Sequence, residues 1–381
     1  MSETREAIRT ICDTIIRRVD RAYIARCSKS GEFPQRLWNL WADTGLLAMG
    51  LPEEYGGAGG NVGDVVLALD LLHQAGLLLP VAITNYMSRT PILRHGTEEQ
   101  KRKYLPPTVT GKAYFSFGIT EPDSGTNTFN IKTSARRQRD GSYVINGQKA
   151  YMTAFKESAH TLLVVRTSPH DPKNRTDGIS LFIVDTKSKG ISSALMEIAA
   201  YLPEKNYMVY YEDVVVPEEN RLGNEGQGLE VLFDSLNPER LFTAAIYVGQ
   251  ADHVLNRAAE YAKVRAPFGK PIGSYQAIQH PLARAKTHVE AARTMLYQAA
   301  DKYDRGGAIG LEANMVKILS SEAFREAADI AMTTFGGAGL DLSQDILPFF
   351  IGSKLAEVGP VNNQVVLSYI AERALGLPKS Y

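Results

Sequence analysis

Apolar residues recur along this chain with a period that changes twice. Near the start, Ile8, Cys12, Ile15 and Val19 fall at helical steps, with Arg and Glu between them. A second helix is predicted to open at Pro34, a favoured first-turn residue, with Leu37, Leu40 and Trp41 on one face. Gly45 is placed to end it. Helices are also expected over 62–74 and, with Thr97 as N-cap, over 98–104. The turn-rich stretch 51–57 connects them. Residues 1–112 therefore read as an N-terminal helical domain.

The pattern then becomes one of strands. Segments 114–119, 131–139, 142–146, 161–166, 180–185 and 207–215 are short and rich in Val, Ile, Phe and Tyr. Turn clusters such as Asp140-Gly141 and Lys189-Gly190 separate them. Residues 113–220 are expected to form a small β-barrel or sandwich. Helical spacing returns afterwards. Leu241, Ala244, Ala245, Val248, Ala251, Leu255, Ala258 and Ala262 form one stripe, and Ile278, Leu282, Ala285, Val289, Ala292 and Leu296 another. Further helices are expected over 311–332 and in the last residues before Leu375. Small residues on the buried stripes allow close crossings, so residues 221–381 read as a four-helix bundle. The predicted fold class is α+β and multidomain.

Composition narrows the function classes. A chain of 381 residues exceeds one small core. Lys+Arg and Asp+Glu both total 42, so a nucleic-acid or polyanion binder, which carries a basic excess, is not expected. Cys12 and Cys27 show neither metal-like spacing nor a disulfide framework; no metal site is predicted, and a reducing compartment fits. The longest apolar runs are too short to span a bilayer. Charged residues open the chain with no apolar signal segment behind them, so a cytoplasmic protein is expected.

Candidate chemistry concentrates in two stretches. Phe117-Gly118-Ile119-Thr120-Glu121-Pro122-Asp123-Ser124-Gly125-Thr126-Asn127 begins as a strand and breaks into small hydroxyl and glycine residues. Such a loop offers backbone N–H groups and hydroxyls with little bulk, which suits a flat, polar-edged ligand. Taken alone it also describes an ordinary surface turn. The second stretch, Asn146-Gly147-Gln148-Lys149-Ala150-Tyr151-Met152-Thr153, follows after one more strand. At this separation the pair resembles the acyl-CoA dehydrogenase family. Its members carry an aromatic-x-x-Thr-Glu-Pro-x-x-Gly-Ser loop, then a stretch of Asn-Gly, Lys, an aromatic and Thr. The resemblance runs along nearly the whole chain.

The resemblance implies FAD as cofactor. By position, Phe117, Ile119, Thr120 and Gly125 serve the flavin from the first stretch, and Tyr151 and Thr153 from the second. Tyr151 stands where many relatives have Trp. Thr126 replaces a usual Ser and is implied to touch the ring, the pyrophosphate or the substrate. Arg265, Phe268 and Gln276 match motifs through which a neighbouring subunit completes the site, so a homo-oligomer, tetramer or dimer, is implied. Thr333, Gly336 and Gly337 match a Gln-x-x-Gly-Gly-x-Gly stretch, with Thr333 departing from the usual Gln.

The implied reaction is α,β-dehydrogenation of an acyl thioester such as acyl-CoA, in fatty acid metabolism. A carboxylate takes the α-proton and the flavin takes the β-hydride. Many relatives supply that carboxylate near the C-terminus, where this chain has Gly359-Pro360-Val361-Asn362-Asn363-Gln364. Pro360 falls on the carboxylate position, while Asn362 and Gln364 still match flavin or pyrophosphate contacts. Branched-chain and long-chain members carry the base on the first C-terminal helix, and Asn237-Pro238-Glu239-Arg240-Leu241 matches that pattern. Glu239 is therefore the expected base, with Arg240 beside the substrate. On residues alone, Glu239 also reads as a first-turn carboxylate steadying a helix N-terminus after Pro238. Glu357 is the next candidate. An electron-transferring flavoprotein is the implied partner. The same-fold alternatives are an enoyl-CoA reductase, an oxygen-using flavin enzyme, or a non-catalytic flavin- or thioester-binding subunit of a hetero-oligomer. An acyl-carrier-protein thioester is an alternative to CoA.

Overall fold

The computed structural model describes residues 3–171, 173–174, 176–199 and 202–379. It opens with helices α1 (Glu3–Arg18), α2 (Arg21–Ser30), α3 (Gln35–Asp43), α4 (Val62–Gln74), α5 (Val81–His95) and α6 (Glu98–Val109). Asn61 starts α4 and Thr97 starts α6, each in a capping box that satisfies N-terminal amides reciprocally. The apolar pattern does not announce α2 or α5. Helix α2 is short and starts at Asp20, whose side chain accepts from Tyr23 N–H. Helix α5 contains Pro91 and is buried on most sides, so no single stripe appears. Its N-terminal Val81 N–H donates to the Glu204 carboxyl, 2.9 Å away, in place of a local cap.

Strands follow: β1 (Phe115–Gly118), β2 (Ser134–Arg137), β3 (Tyr143–Thr153), β4 (His160–Arg166), β5 (Ile179–Asp185), β6 (Ile191–Met196), β7 (Asn206–Val216) and β8 (Arg221–Leu222). They form one eight-stranded mixed sheet in the order β6-β7-β3-β2-β4-β5-β8, with β1 parallel to β4 off this path. The sequence pattern misses β6, a serine-containing edge strand held by pairing with β7. The strand expected over 142–146 instead runs on to Thr153. Register shifts at Ile145/Gly147 and Lys149/Met152 bulge it, so the second motif is irregular strand rather than loop. Tyr143, Phe182 and Tyr211 share a core within the sheet. Phe115, Leu162 and Leu181 pack instead with Ile92 of α5 and Leu105 of α6.

The chain closes with α7 (Gly228–Val264), α8 (Gln276–Asp304), α9 (Gly310–Phe335), α10 (Leu347–Val358) and α11 (Asn363–Leu375). Ala244, Ala251, Ala292, Ala299 and Ala327 sit in one core with Trp41 and Leu69, so both helical regions share their interior. The expected last helix is two, divided at Gly359-Pro360, where Asn362 caps α11 by accepting from Gln364 N–H. Helix α7 starts well before the expected place, and Pro238 lies inside it. The first-turn reading of Glu239 is therefore wrong: the residue is several turns from the helix N-terminus. Among the described residues, no helix is long and apolar enough to cross a membrane.

Candidate active site

A buried ion pair joins the two motif stretches. Lys149 Nζ lies 2.9 Å from Glu121 Oε1 and 3.0 Å from Ile119 O. The same Glu121 carboxylate accepts Lys132 N–H at 2.6 Å and Thr133 N–H at 2.9 Å. Ala150 N–H donates to Thr120 O at 2.8 Å, and Thr133 Oγ1 donates to Gln148 O at 3.0 Å. Burial pushes the Glu121 carboxyl up, but Lys149 and the donors from Thr133 and Lys132 outweigh it and hold it below the usual carboxylate range. Burial brings Lys149 down to about 8, against the pull of Glu121. The Thr120 end of the first stretch is thus fixed against β3. The Lys149 neighbours Asn146, Gly147, Gln148 and Tyr151 are exposed, so the strand's sequence carries no signal of the burial of Lys149.

The residues expected at the ring divide by exposure. Tyr151 is 57% exposed and has φ 58, so the bulge turns its ring outward. Gly125 and Thr126 are exposed and Thr120 is half-buried. Thr153 is half-buried and its hydroxyl donates to Asn206 Oδ1 at 3.0 Å. Phe117 and Ile119 are half-buried and pack on the core shared with α5 and α6.

A second group gathers at the end of the helical bundle. Arg265, Gly336 and Gly337 line a cleft of about 540 Å³ with Tyr261, Pro267 and Phe335. Tyr261 and Phe335 stack at 4.2 Å beneath it. A Cβ at Gly336 or Gly337 would meet nothing within 4 Å, so the backbone there is open to a ligand. Phe268 is 84% exposed on the α7–α8 hairpin, and Gln276 and Thr333 are exposed nearby in sequence. Among the described residues, no hydrogen bond links this cleft to the Glu121–Lys149 group.

Glu239 forms a third group with the loop after α10. It is 8% exposed, and burial pushes its carboxyl up to about 7, with Arg240 offsetting only part of the rise. Among the described residues, no donor reaches that carboxyl; Thr243 Oγ1 bonds only to its backbone oxygen, at 2.6 Å. Arg240 turns to Asn237 Oδ1 at 3.0 Å and leaves Nε buried without a partner. Tyr247 lies further along the same face of α7, and its hydroxyl donates to Gly359 O at 3.1 Å. The helix bearing Glu239 and the loop bearing Pro360 therefore face each other. Glu357 instead pairs with Lys354 at 2.8 Å. Asn362 spends its side-chain oxygen on the α11 cap, and Gln364 is exposed. Sequence reading did not find Tyr247 or Lys317. Lys317 is fully buried and donates to Asn363 Oδ1 at 2.5 Å, anchoring α11 to α9.

The donor set fits FAD. Exposed hydroxyls and amides around Thr120–Thr126 and the outward Tyr151 suit a flat ring with polar edges. Arg265 beside the open Gly336-Gly337 backbone suits a pyrophosphate. Comparison with known proteins agrees. The models described as acyl-CoA dehydrogenase N-terminal, middle and C-terminal domains match residues 2–112, 116–214 and 226–375. The chain is similar to acyl-CoA dehydrogenase FadE12 of Mycobacterium tuberculosis, 34% identical over 100% of this chain and 98% of that one. It is similar to the caffeyl-CoA reductase–Etf complex subunit CarC of Acetobacterium woodii, 33% identical over 89% of each chain. Among solved structures, an FAD complex of PigA superposes with a TM-score of 0.90 at 26% identity, over 99% of this chain and 98% of that one.

Proposed function

The chain belongs to the acyl-CoA dehydrogenase family and is an FAD-dependent oxidoreductase, and we propose that it dehydrogenates the α,β-bond of an acyl thioester with Glu239 as base. The observation that carries this reading is the Glu239 carboxyl, buried inside α7, lacking a donor and titrating at about 7. Such a carboxylate is partly ionised at neutral pH and basic enough to take a proton from a carbon beside a thioester carbonyl. Pro360 on the facing loop has no acid–base group, and Glu357 is committed to Lys354. Arg240, with its unpartnered Nε, offers a donor beside the acyl group.

Bound FAD supplies the two-electron acceptor for the hydride that leaves the β-carbon. Thr120, Thr126, Tyr151 and Thr153 hold its ring, with Phe117, Ile119 and Gly125 shaping the loop behind them. Arg265 and the Gly336-Gly337 backbone take the pyrophosphate, with Thr333, Asn362 and Gln364 at the margin. Arg265, Phe268 and Gln276 are exposed on the α7–α8 hairpin and are assigned to the FAD of a neighbouring copy, Arg265 at its pyrophosphate, which makes the working unit a homo-oligomer. An electron-transferring flavoprotein in the cytoplasm completes the proposal. The reverse reaction, enoyl-CoA reduction, is the second reading, favoured by the likeness to the CarC subunit.

Anaerobic addition of acyl-CoAs to the FAD-loaded protein should bleach the flavin. Glu239→Gln should keep FAD and slow bleaching about a hundredfold, the scale of losing a general base. Equal rates in both proteins would remove Glu239 from the role. If no acyl-CoA bleaches the flavin and an enoyl-CoA reoxidises the reduced protein, the reductase reading takes its place.

A further inference from the structure

We propose that the acyl site ends one turn beyond Glu239, at a fixed wall formed by Phe242 and Tyr86, so that the enzyme takes short or compact acyl groups. This rests on the assignment of Glu239 to the reacting end of the substrate. On α7, Ser235, Glu239, Phe242 and Ile246 share one face. Helix α5 runs antiparallel beside that face. Near its C-terminus, Arg94 and His95 reach Asp234 at 2.9 and 2.7 Å. Near its middle, the Tyr86 ring meets the Phe242 ring at 5.7 Å, tilted by 48°.

The two ends of this seam differ. Asp234 is 35% exposed at one end, whereas Phe242 and Tyr86 are 3% and 5% exposed at the other. Glu239 lies between them. Phe242 follows it by about 4.5 Å along the helix axis, at a rise of roughly 1.5 Å per residue. An acyl chain with its α-carbon at Glu239 and its thioester toward solvent meets the Phe242 ring within a few carbons.

The wall is held on three sides. Tyr86 hydroxyl donates to Leu46 O at 2.6 Å. The Arg89 guanidinium lies over the Tyr86 ring at 4.6 Å and donates to Met49 O at 2.8 Å and to Leu47 O. Turning Tyr86 aside would leave its buried hydroxyl unpaired and break the ring's contact with the Arg89 guanidinium, so the ring does not swing away to admit a longer chain.

The test is an affinity ladder on the Glu239→Gln holoenzyme, kept anaerobic, in which flavin reduction is about a hundredfold slower than in the parent. Butyryl-, octanoyl- and palmitoyl-CoA are titrated calorimetrically, with FAD content as the check on folding. Affinity should fall by about tenfold or more from butyryl to palmitoyl, the scale on which a closed apolar pocket discriminates added methylenes. Phe242→Ala in the same background should reverse the order, and the milder Phe242→Leu should move it part of the way. Tight palmitoyl binding before any change at Phe242 would overturn the proposal. So would a ladder that neither Phe242 substitution alters. If Glu239→Gln still bleaches at the parental rate, the base assignment fails, and the ladder still measures where the pocket ends.

Discussion

Lys149 and Glu121 form an ion pair at 2.9 Å with side chains 0% and 5% exposed, and this pair ties the stretch 117–127 to the stretch 146–153. Lys149 also holds Ile119 O, and Glu121 holds the amides of Lys132 and Thr133. Lys149→Met strands a buried carboxylate, so it should destabilise the protein by roughly 3–5 kcal/mol. FAD retention should fall with it, because Thr120 loses its anchored neighbour. Adding Glu121→Gln should recover part of the stability. Chemical denaturation and the flavin-to-protein absorbance ratio report both effects. A Lys149→Met protein with parental stability and full FAD would show that the pair does not hold the site.

Much of this architecture is written in the apolar pattern. The stripe Ile278–Leu296 gives α8 because that helix has one buried side. Helix α5 is illegible for the opposite reason: burial on most sides erases its period, and its N-terminal amide is satisfied by Glu204, distant in sequence. Pro238 misled for a local reason. Proline favours a first turn, but here tertiary packing carries α7 straight through it. The candidate site residues stand out as motifs, yet their surroundings do not. Nothing local shows that Lys149 is buried, that Glu239 lacks a donor, or that Tyr247 reaches Gly359 O.

Arg265 borders the cleft opened by Gly336 and Gly337 and is itself exposed. Arg265→Ala should weaken FAD binding by about 1.5–3 kcal/mol, the worth of a hydrogen bond to a charged group. Fold stability without FAD should hardly move, since an exposed side chain contributes little packing. Fluorescence titration of the apoprotein with FAD measures the difference. Unchanged affinity would remove Arg265 from the pyrophosphate.

Burial holds the Glu239 carboxyl at about 7, and a general base must be ionised to accept a proton. Lowering the pH protonates it and removes the base. The kcat/KM of the free enzyme should therefore fall about tenfold per pH unit below about 7 and level off above it. Glu239→Asp, if active, should keep an acid limb, whereas the residual rate of Glu239→Gln should lose it. A parental profile that stays flat well below 7 would mean that the base ionises much lower than the buried Glu239 does.

The same shift makes Glu239 a burden on stability, which separates a catalytic carboxylate from a structural one. Its folded value of about 7 lies above the roughly 4.3 of an exposed glutamate. The folded state therefore binds the proton more tightly, and the stabilisation present at low pH is lost as pH rises through about 7. Above that pH the ionised buried carboxylate destabilises the fold by on the order of 3 kcal/mol. Glu239→Gln keeps the shape and removes the charge. It should be more stable than the parent at pH about 8 and nearly equal to it at pH about 4, below the unfolded value, at fixed FAD and protein concentration. A carboxylate kept for the helix dipole would give the opposite sign, with the Gln variant weaker at high pH by about 0.3–1 kcal/mol. Urea unfolding at the two pH values decides between them. A variant that gains stability at pH about 8 while flavin reduction collapses marks a residue retained for chemistry against the interest of the fold.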